Sequence, residues 1–513
     1  MNSPQKKRNY LSGYPLAAGL GLLTALSVGV NGYHFGIEDQ AIYLPAVLKD
    51  LDPSLFPYDH AFFDAQTKPT LIDELVAGIV RFGHLPLEWV LFVLHLLSIW
   101  LLLFGASRVI RRCFHVPSAV WGGLGLLSGL LLLPIAGTSQ YLADQYLHPR
   151  TLATGLILLP VADLLPGPFQ KRGKSAVLWC LLWFLPAVLL QLQMAIFGLG
   201  FLFCLLMPWE RWIPAMKPAM LTAVPFGAIL QLFERGSPAW QEAARTRDQH
   251  YLVRWTWYEW LGITAPMVVF WLWAKIGDKQ KNEAMSWFCR RISVYGTLVL
   301  VIGSALILPP AFERLTPVQP MRMFTFVYLY MLVIGGGLLG QYVLRTVVWR
   351  WLVLFIPLMA GMYHVNRQAF PSMAHIEWPG IRPANDWEQT FLWIRQNTPK
   401  DAYFAVNPHY LRNPGEDFRG FRAWAWRGNM ADWEKDAAVA SLVPSVAPRW
   451  QKEMHARDGW ESFSAQDFAR LKRDFGVNWA LLENRFFDEN GRKMPDNLEC
   501  PYRNESLSVC RIR

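Results

Sequence analysis

The run His34-Phe35-Gly36-Ile37-Glu38-Asp39-Gln40 sets two adjacent carboxylates directly after an apolar segment. Such a pair can bind a divalent cation, or one member can take a proton from an acceptor hydroxyl when its surroundings tune its pKa. The plainer reading is a solvated acidic loop. Asp144, His148 and Arg150 form a second group beside the end of another apolar run. Unpaired charge is costly at a membrane interface, so these three pair with one another, anchor Arg150 to headgroups, or line one outward cavity with Asp39. A third group, Gln319-Pro320-Met321-Arg322, precedes a further apolar run. Arginine suits a phosphate or diphosphate because its planar fork gives paired hydrogen bonds and stays charged; the alternative is a snorkelling anchor. His34 and His148 are weaker as metal ligands, since neither has a second histidine at helical spacing. Phe421-Arg422-Ala423-Trp424-Ala425-Trp426-Arg427 alternates like a strand and leads to a turn at Gly428-Asn429. That alternation could bind sugars or face a membrane, although a packed core with a solvated face is the more economical account.

The elements that must hold these residues are mostly apolar. The chain of 513 residues is 53% apolar and only 17% charged, with 25 Trp and 31 Phe, against roughly 25% charged residues in soluble domains. Its apolar runs have about the length a helix needs to cross a hydrocarbon core of roughly 30 Å. They predict about eleven spans, near residues 14–32, 86–106, 118–137, 151–165, 176–190, 194–207, 218–233, 260–276, 292–308, 324–344 and 351–364. Only Gln191-Leu192-Gln193 separates the fifth from the sixth, and one kinked span there would give ten crossings. Cations collect in short loops on the cytoplasmic side. With the N-terminus inside, eleven crossings place Lys6, Lys7, Arg8, Arg108, Arg111, Arg112, Lys171, Arg172, Lys174 and the Lys275 to Arg291 group on that side, a better fit than ten. The net charge of +10 is then a consequence of topology, and no nucleic-acid partner is expected. The first apolar segment lacks a small-x-small cleavage site before Asn31 and is expected to stay as an anchor.

Residues 33–85 make a long acidic outer loop whose segments 38–50 and 71–82 have helical apolar spacing, which predicts short helices on the outer membrane surface. Residues 367–384, with Pro371, Pro379, Gly380 and Pro383, form a linker. From residue 385 the pattern becomes soluble α/β. A helix capped by Asp386 and running to Gln396 precedes a strand at 402–406; a helix capped by Ser464 and ended by Gly476 precedes a strand at 479–482. Alternating helices and short strands predict a small, mostly parallel sheet. Cys500 and Cys510 could pair in an oxidising compartment, while Cys113, Cys180, Cys204 and Cys289 show no metal-ligand spacing. The expected fold is thus a polytopic α-helical membrane domain over residues 1–366, a linker over 367–384, and an extracytoplasmic α/β domain over 385–513.

This layout, with a carboxylate just past the first span, many further spans and an exported C-terminal α/β domain, resembles the GT-C superfamily of polyprenyl-phosphate-dependent glycosyltransferases. Gly36-Ile37-Glu38-Asp39-Gln40, Leu147-His148-Pro149-Arg150, Gln319-Pro320-Met321-Arg322, Trp393-Ile394-Arg395-Gln396-Asn397-Thr398-Pro399 and Phe421-Arg422 are similar to an uncharacterised bacterial group of GT-C-like membrane proteins. The resemblance implies that Asp39, with Glu38 beside it, is the general base or metal-supporting acid, and that Asp144 is the second acid. It implies that Arg322, helped by Arg150, holds the donor's lipid phosphate, with His34, His148 and Gln319 around the substrate. Any divalent cation, magnesium or manganese, would sit on Asp39 and Asp144. The implied reaction passes a sugar from a polyprenyl-phosphate-linked donor in the membrane lipid to a glycan, lipid or protein acceptor, with inversion at the anomeric carbon. The implied place is the bacterial inner membrane, with the N-terminus cytoplasmic and the C-terminal domain periplasmic. No Trp-Trp-Asp signature of oligosaccharyltransferases is present, so protein N-glycosylation is not expected. A transporter or lipid flippase, and a non-catalytic membrane scaffold, are the alternative readings.

Overall fold

The computed structural model describes residues 14–167, 170–207, 236–381, 383, 385–412, 419–488 and 493–513. Helix α1 (Tyr14–Asn31) leads into the acidic loop, which folds as α2 (Gln40–Leu51), α3 (Ala61–Thr67) and α4 (Ile72–Gly83). Then come α5 (Leu87–Cys113), α6 (Pro117–Gly129), α7 (Pro149–Leu164), α8 (Gly173–Leu190) and α9 (Leu192–Leu206). After α10 (Pro238–Arg245), the apolar helices resume with α11 (Trp257–Lys279), α12 (Glu283–Ile307), α13 (Phe324–Leu338) and α14 (Val348–Ala369).

Six stretches among the described residues are long and apolar enough to cross a membrane: Leu87–Cys113, Gly173–Leu190, Trp257–Lys279, Glu283–Ile307, Pro320–Leu344 and Val348–Ala369. The chain is therefore membrane-embedded, but six helices rather than eleven reach full length here. Pro15–Asn31 and Leu192–Leu206 are apolar but shorter. The expected span at 218–233 and the N-terminal Lys6-Lys7-Arg8 lie outside the described residues. The expected span at 118–137 is cut to 13 helical residues, about 20 Å at 1.5 Å per residue. Pro134, which removes a donor and disfavours helix in the residue before it, keeps the helix from resuming; the chain there instead forms an antiparallel bridge from Pro134 to Tyr141. At the other uncertain point, Gln191 is extended (φ −158°, ψ 97°) and divides α8 from α9, so the two apolar runs are separate helices. Small residues let the helices approach closely. A Cβ on Gly336 of α13 would lie 2.5 Å from the Gly122 carbonyl oxygen of α6.

The C-terminal domain contains α15 (Asp386–Asn397), β1 (Tyr403–Ala405), α16 (Phe421–Ala425), β2 (Gly428–Asn429), α17 (Lys435–Leu442), α18 (Ala447–His455), α19 (Ala465–Phe475), β3 (Trp479–Glu483), β4 (Leu498–Arg503) and β5 (Leu507–Ile512). Ser464 and Asp467 form the capping box of α19, and Gly476 ends it in the left-handed conformation. The cap of α15 is Asn385 rather than Asp386; its side-chain oxygen accepts from the Trp387 and Glu388 backbone N–H groups. Strand order is β2-β1-β3-β5-β4. Strand β1 runs parallel to β2 and β3, whereas β5 is antiparallel to both β3 and β4. The sheet is therefore mixed, not mostly parallel, because the chain ends in a hairpin. A disulfide between Cys500 and Cys510 joins its two strands.

Two local expectations reverse. Residues 421–425 are helix and Gly428–Asn429 is strand, where the alternation predicted a strand and then a turn. Every residue from Phe421 to Ala425 is buried, Arg422 included, so Arg422 is not the solvated half of a strand. The loop helices also do more than lie at a surface. Ile42 and Leu44 of α2 and Phe62 and Phe63 of α3 share one apolar core with Trp387, Phe391, Phe404 and Trp450 of the C-terminal domain. Arg422 reaches Asp59 through Nε and Asp436 through Nη1 and Nη2, the last two at 2.9 and 3.0 Å. The loop and the domain are thus one folded body above the helical bundle.

Candidate functional site

The turn between α1 and α2 is held from two sides. On one side, the Tyr33 N–H donates to the His375 carbonyl and the Glu377 N–H to the Tyr33 carbonyl. On the other, Gln40 accepts from the Gly36 N–H at 2.7 Å and donates to the Leu147 carbonyl at 3.2 Å. Gly36 has φ +70°, and a Cβ there would run into the Trp424 indole of α16. Glycine fits this site on both counts. The turn projects Glu38, itself left-handed at φ +49°, and Asp39 toward the C-terminal domain.

Asp39 Oδ2 lies 3.2 Å from His148 Nε2. His148 Nδ1 accepts from the Arg150 backbone N–H at 3.0 Å, so in neutral His148 the proton sits on Nε2 and is donated to Asp39. On the other oxygen, Asp39 Oδ1 is 3.3 Å from Lys435 Nζ, which also meets Glu38 Oε2 at 2.5 Å. The Tyr146 hydroxyl accepts from the Asp39 backbone N–H at 3.4 Å. Asp144 binds Arg150 Nη2 through both oxygens, at 2.7 and 2.8 Å. Asp39 therefore meets His148 directly and shares Lys435 with Glu38, and the Asp144–Arg150 pair is joined to them through the His148 ring.

Arg322 approaches the same cluster from the start of α13. Its Nε donates to the Thr138 carbonyl at 3.4 Å, and it interacts electrostatically with Arg150, Asp39, Asp144 and Tyr43. Among the described residues no carboxylate pairs with Arg322. A cavity of about 10 Å³ nearby is lined by Thr138, His250 and Gln319, and not by Arg322 or Asp39. Gln319 turns its amide to His250 Nε2 at 2.5 Å and so stands beside the cluster rather than in it. Burial, with Arg322 and Arg247 nearby, pushes His250 down to about 3 and keeps it a neutral acceptor. His34 stands further off. Its ring packs at a tilt against Phe370, with centroids 4.5 Å apart, and its Nδ1 is 3.5 Å from Glu377.

Burial alone would raise the Asp39 carboxyl, but Lys435, His148 and Arg150 outweigh it and hold it well below the usual carboxylate range. His148 is pushed down by burial and by Arg150, against the pull of Asp144 and Asp39. The ground state is a carboxylate gripped by a neutral imidazole and an ammonium. This arrangement does not fit a divalent ion on Asp39 and Asp144. Both oxygens of each acid already face a nitrogen that carries protons, and the two acids face different cations.

Sequence reasoning missed Lys435. It lies 396 residues from Asp39 and belongs to no motif, and only the docking of the C-terminal domain brings it to the acids. Tyr146 sits in the segment singled out around Asp144, but as a backbone-facing hydroxyl it carries no sequence signal. No curated protein matches this chain. Residues 385–443, the stretch that supplies Arg422, Lys435 and Asp436, match a family described only as a domain of unknown function, DUF6798.

Proposed function

We propose that the chain is a membrane glycosyltransferase of GT-C-like architecture that moves a sugar from a polyprenyl-phosphate-linked donor to an extracytoplasmic acceptor. In this reading about eleven helices cross the bacterial inner membrane, with the N-terminus cytoplasmic and the C-terminal domain periplasmic. Its main support is Arg322, a guanidinium without a carboxylate partner among the described residues, placed beside Asp39 where a bundle helix begins. A fixed cation of this kind is suited to an anionic headgroup. Contacts between loops and the C-terminal domain agree with the proposed sidedness: Trp240 donates to the Ser441 carbonyl at 2.8 Å, Arg247 pairs with Glu434 at 2.7 Å, and Lys435 reaches the loop acids.

The acceptor hydroxyl gives its proton to Asp39 as its oxygen bonds to the anomeric carbon from the face opposite the phosphate. The bond from that carbon to the phosphate oxygen breaks, and the electron pair leaves with the lipid phosphate, whose growing charge Arg322 and Arg150 stabilise. Lys435 has to withdraw from Asp39 first. That withdrawal lifts the carboxyl toward a range in which it can accept a proton. Native mass spectrometry of the full chain, extracted with undecaprenyl phosphate present, tests the binding half of the proposal. Wild type is expected to retain the lipid and Arg322→Gln to lose it roughly tenfold or more, as for a charge-assisted contact worth about 1.5–3 kcal/mol. Equal retention by both would remove Arg322 from the donor site. One observation favours a non-catalytic scaffold instead: Lys435 and His148 already engage both oxygens of Asp39.

A further inference from the structure

A second acidic group lies at the far end of α2, away from the Asp39 cluster. Asp50, in the last turn of α2, and Asp73 and Glu74, in the first turn of α4, each offer an oxygen, and these atoms all lie within 4.8 Å of one another. Arg81 and Lys49 act on Asp50 from a distance, but neither closes an ion pair with it. Lys49 is taken by Asp64 at 3.1 Å, and Arg81 donates at 2.6 Å to the backbone carbonyl of Asp50, not to its carboxylate. Among the described residues none of the three acids makes an ion pair.

Asp73 supplies a separate observation. The residue is 7% exposed, and its Oδ1 is buried without any hydrogen-bond partner, as is Asp50 Oδ2. A buried carboxylate oxygen left unpaired is costly, and native proteins pair such atoms or bind an ion there. Its buried position beside two other acids fits a cation better than a solvated acidic surface. Burial, a hydrogen bond with Glu74 and the Glu74 charge push the Asp73 carboxyl up to about 7.

We propose that Asp50, Asp73 and Glu74 form a binding site for a hard divalent cation of the calcium class, which clamps the end of α2 to the start of α4. Calcium takes six to eight oxygens at about 2.3–2.6 Å in flexible geometry. Three carboxylates, one or more of them bidentate, supply the anionic part of that shell and water the rest. The clamp stiffens the loop whose opposite end presents Glu38 and Asp39. It is independent of the transferase reading, since neither Asp39 nor Arg322 takes part.

The test is calorimetric titration of calcium chloride into the EDTA-stripped full chain in nanodiscs at about pH 7.5, with thermal unfolding of the same samples. Wild type is expected to bind one calcium per chain with a Kd of about 10⁻⁴–10⁻³ M, the range of extracellular calcium modules, and to unfold at higher temperature when calcium is present. Asp73→Asn is expected to weaken binding roughly tenfold or more, by loss of ligand charge. Glu74→Gln, at an exposed ligand that the fold does not need, is expected to weaken it in the same direction, so the proposal stays testable if Asp73→Asn misfolds. No saturable calcium binding up to about 10 mM would overturn the site, as would variants that bind like wild type. A metal-free Asp73→Asn protein more stable than wild type, with wild type indifferent to calcium, would show a proton-bridged acid pair instead.

Discussion

Under the proposed transferase function, purified protein carrying Asp39→Asn is expected to transfer sugar about 10²- to 10⁴-fold more slowly than wild type, the usual contribution of a positioned general base, while folding normally. The amide oxygen can still accept from His148 Nε2, and Lys435 keeps Glu38 at 2.5 Å. The substitution removes the negative charge, the basic lone pair and the contact with Lys435, but keeps the side-chain volume and the backbone contact of the turn with Tyr146. The measurement is single-turnover transfer from a polyprenyl-phosphate sugar, paired with a thermal unfolding curve. A variant with wild-type transfer would eliminate Asp39 as the base. A variant that is inactive and also unfolds early would assign the residue to structure.

Arg422→Met is expected to destabilise the joined loop and C-terminal domain by about 3–5 kcal/mol, the cost of removing one partner from a buried ionic group. Asp59 is 0% exposed and Asp436 1%, so both would be left without their guanidinium in a place water does not reach. The cluster already carries excess negative charge: burial and Asp436 push Asp432 up to about 7, against the restraint of Arg422. An acid whose folded pKa exceeds its unfolded value makes the folded state bind more protons, so stability falls as pH rises between the two values. Losing Arg422 widens that window, and the deficit is therefore expected to be smaller at about pH 5 than at about pH 8. Urea unfolding of wild type and variant at both pH values checks magnitude and sign. A deficit below about 1 kcal/mol, the scale of an exposed ion pair, would mean that water reaches this network.

The sequence showed most where local rules act alone. Ser464 with Asp467, and Gly476 at the other end, mark α19 because capping and the left-handed turn depend on neighbouring residues only. The break at Gln191 between α8 and α9 was likewise visible as a short polar interruption. Residues 421–427 misled because their alternation arises in a segment buried on every side of its helical part, where a period-two pattern has no exposed face to report. The terminal hairpin was hidden by Glu499, Arg503 and Arg511, which leave β4 and β5 too polar to read as buried strands. At the candidate site, Asp39, His148, Asp144, Arg150 and Arg322 were all legible as polar residues at the ends of apolar runs. Lys435 was not, because its meeting with Glu38 and Asp39 depends on how the acidic loop docks on α16 and α17. Docking of that kind is decided by a shared core and one buried arginine, which no single segment records.

The most direct test is electron cryo-microscopy of the full chain in nanodiscs containing undecaprenyl phosphate. The proposed function predicts phosphate density between Arg322 and Arg150 on the Asp39 side, with the Lys435 side chain drawn away from Asp39. A site in which Lys435 still bridges Glu38 and Asp39, with no phosphate within hydrogen-bonding reach of Arg322 at saturating lipid, would contradict it.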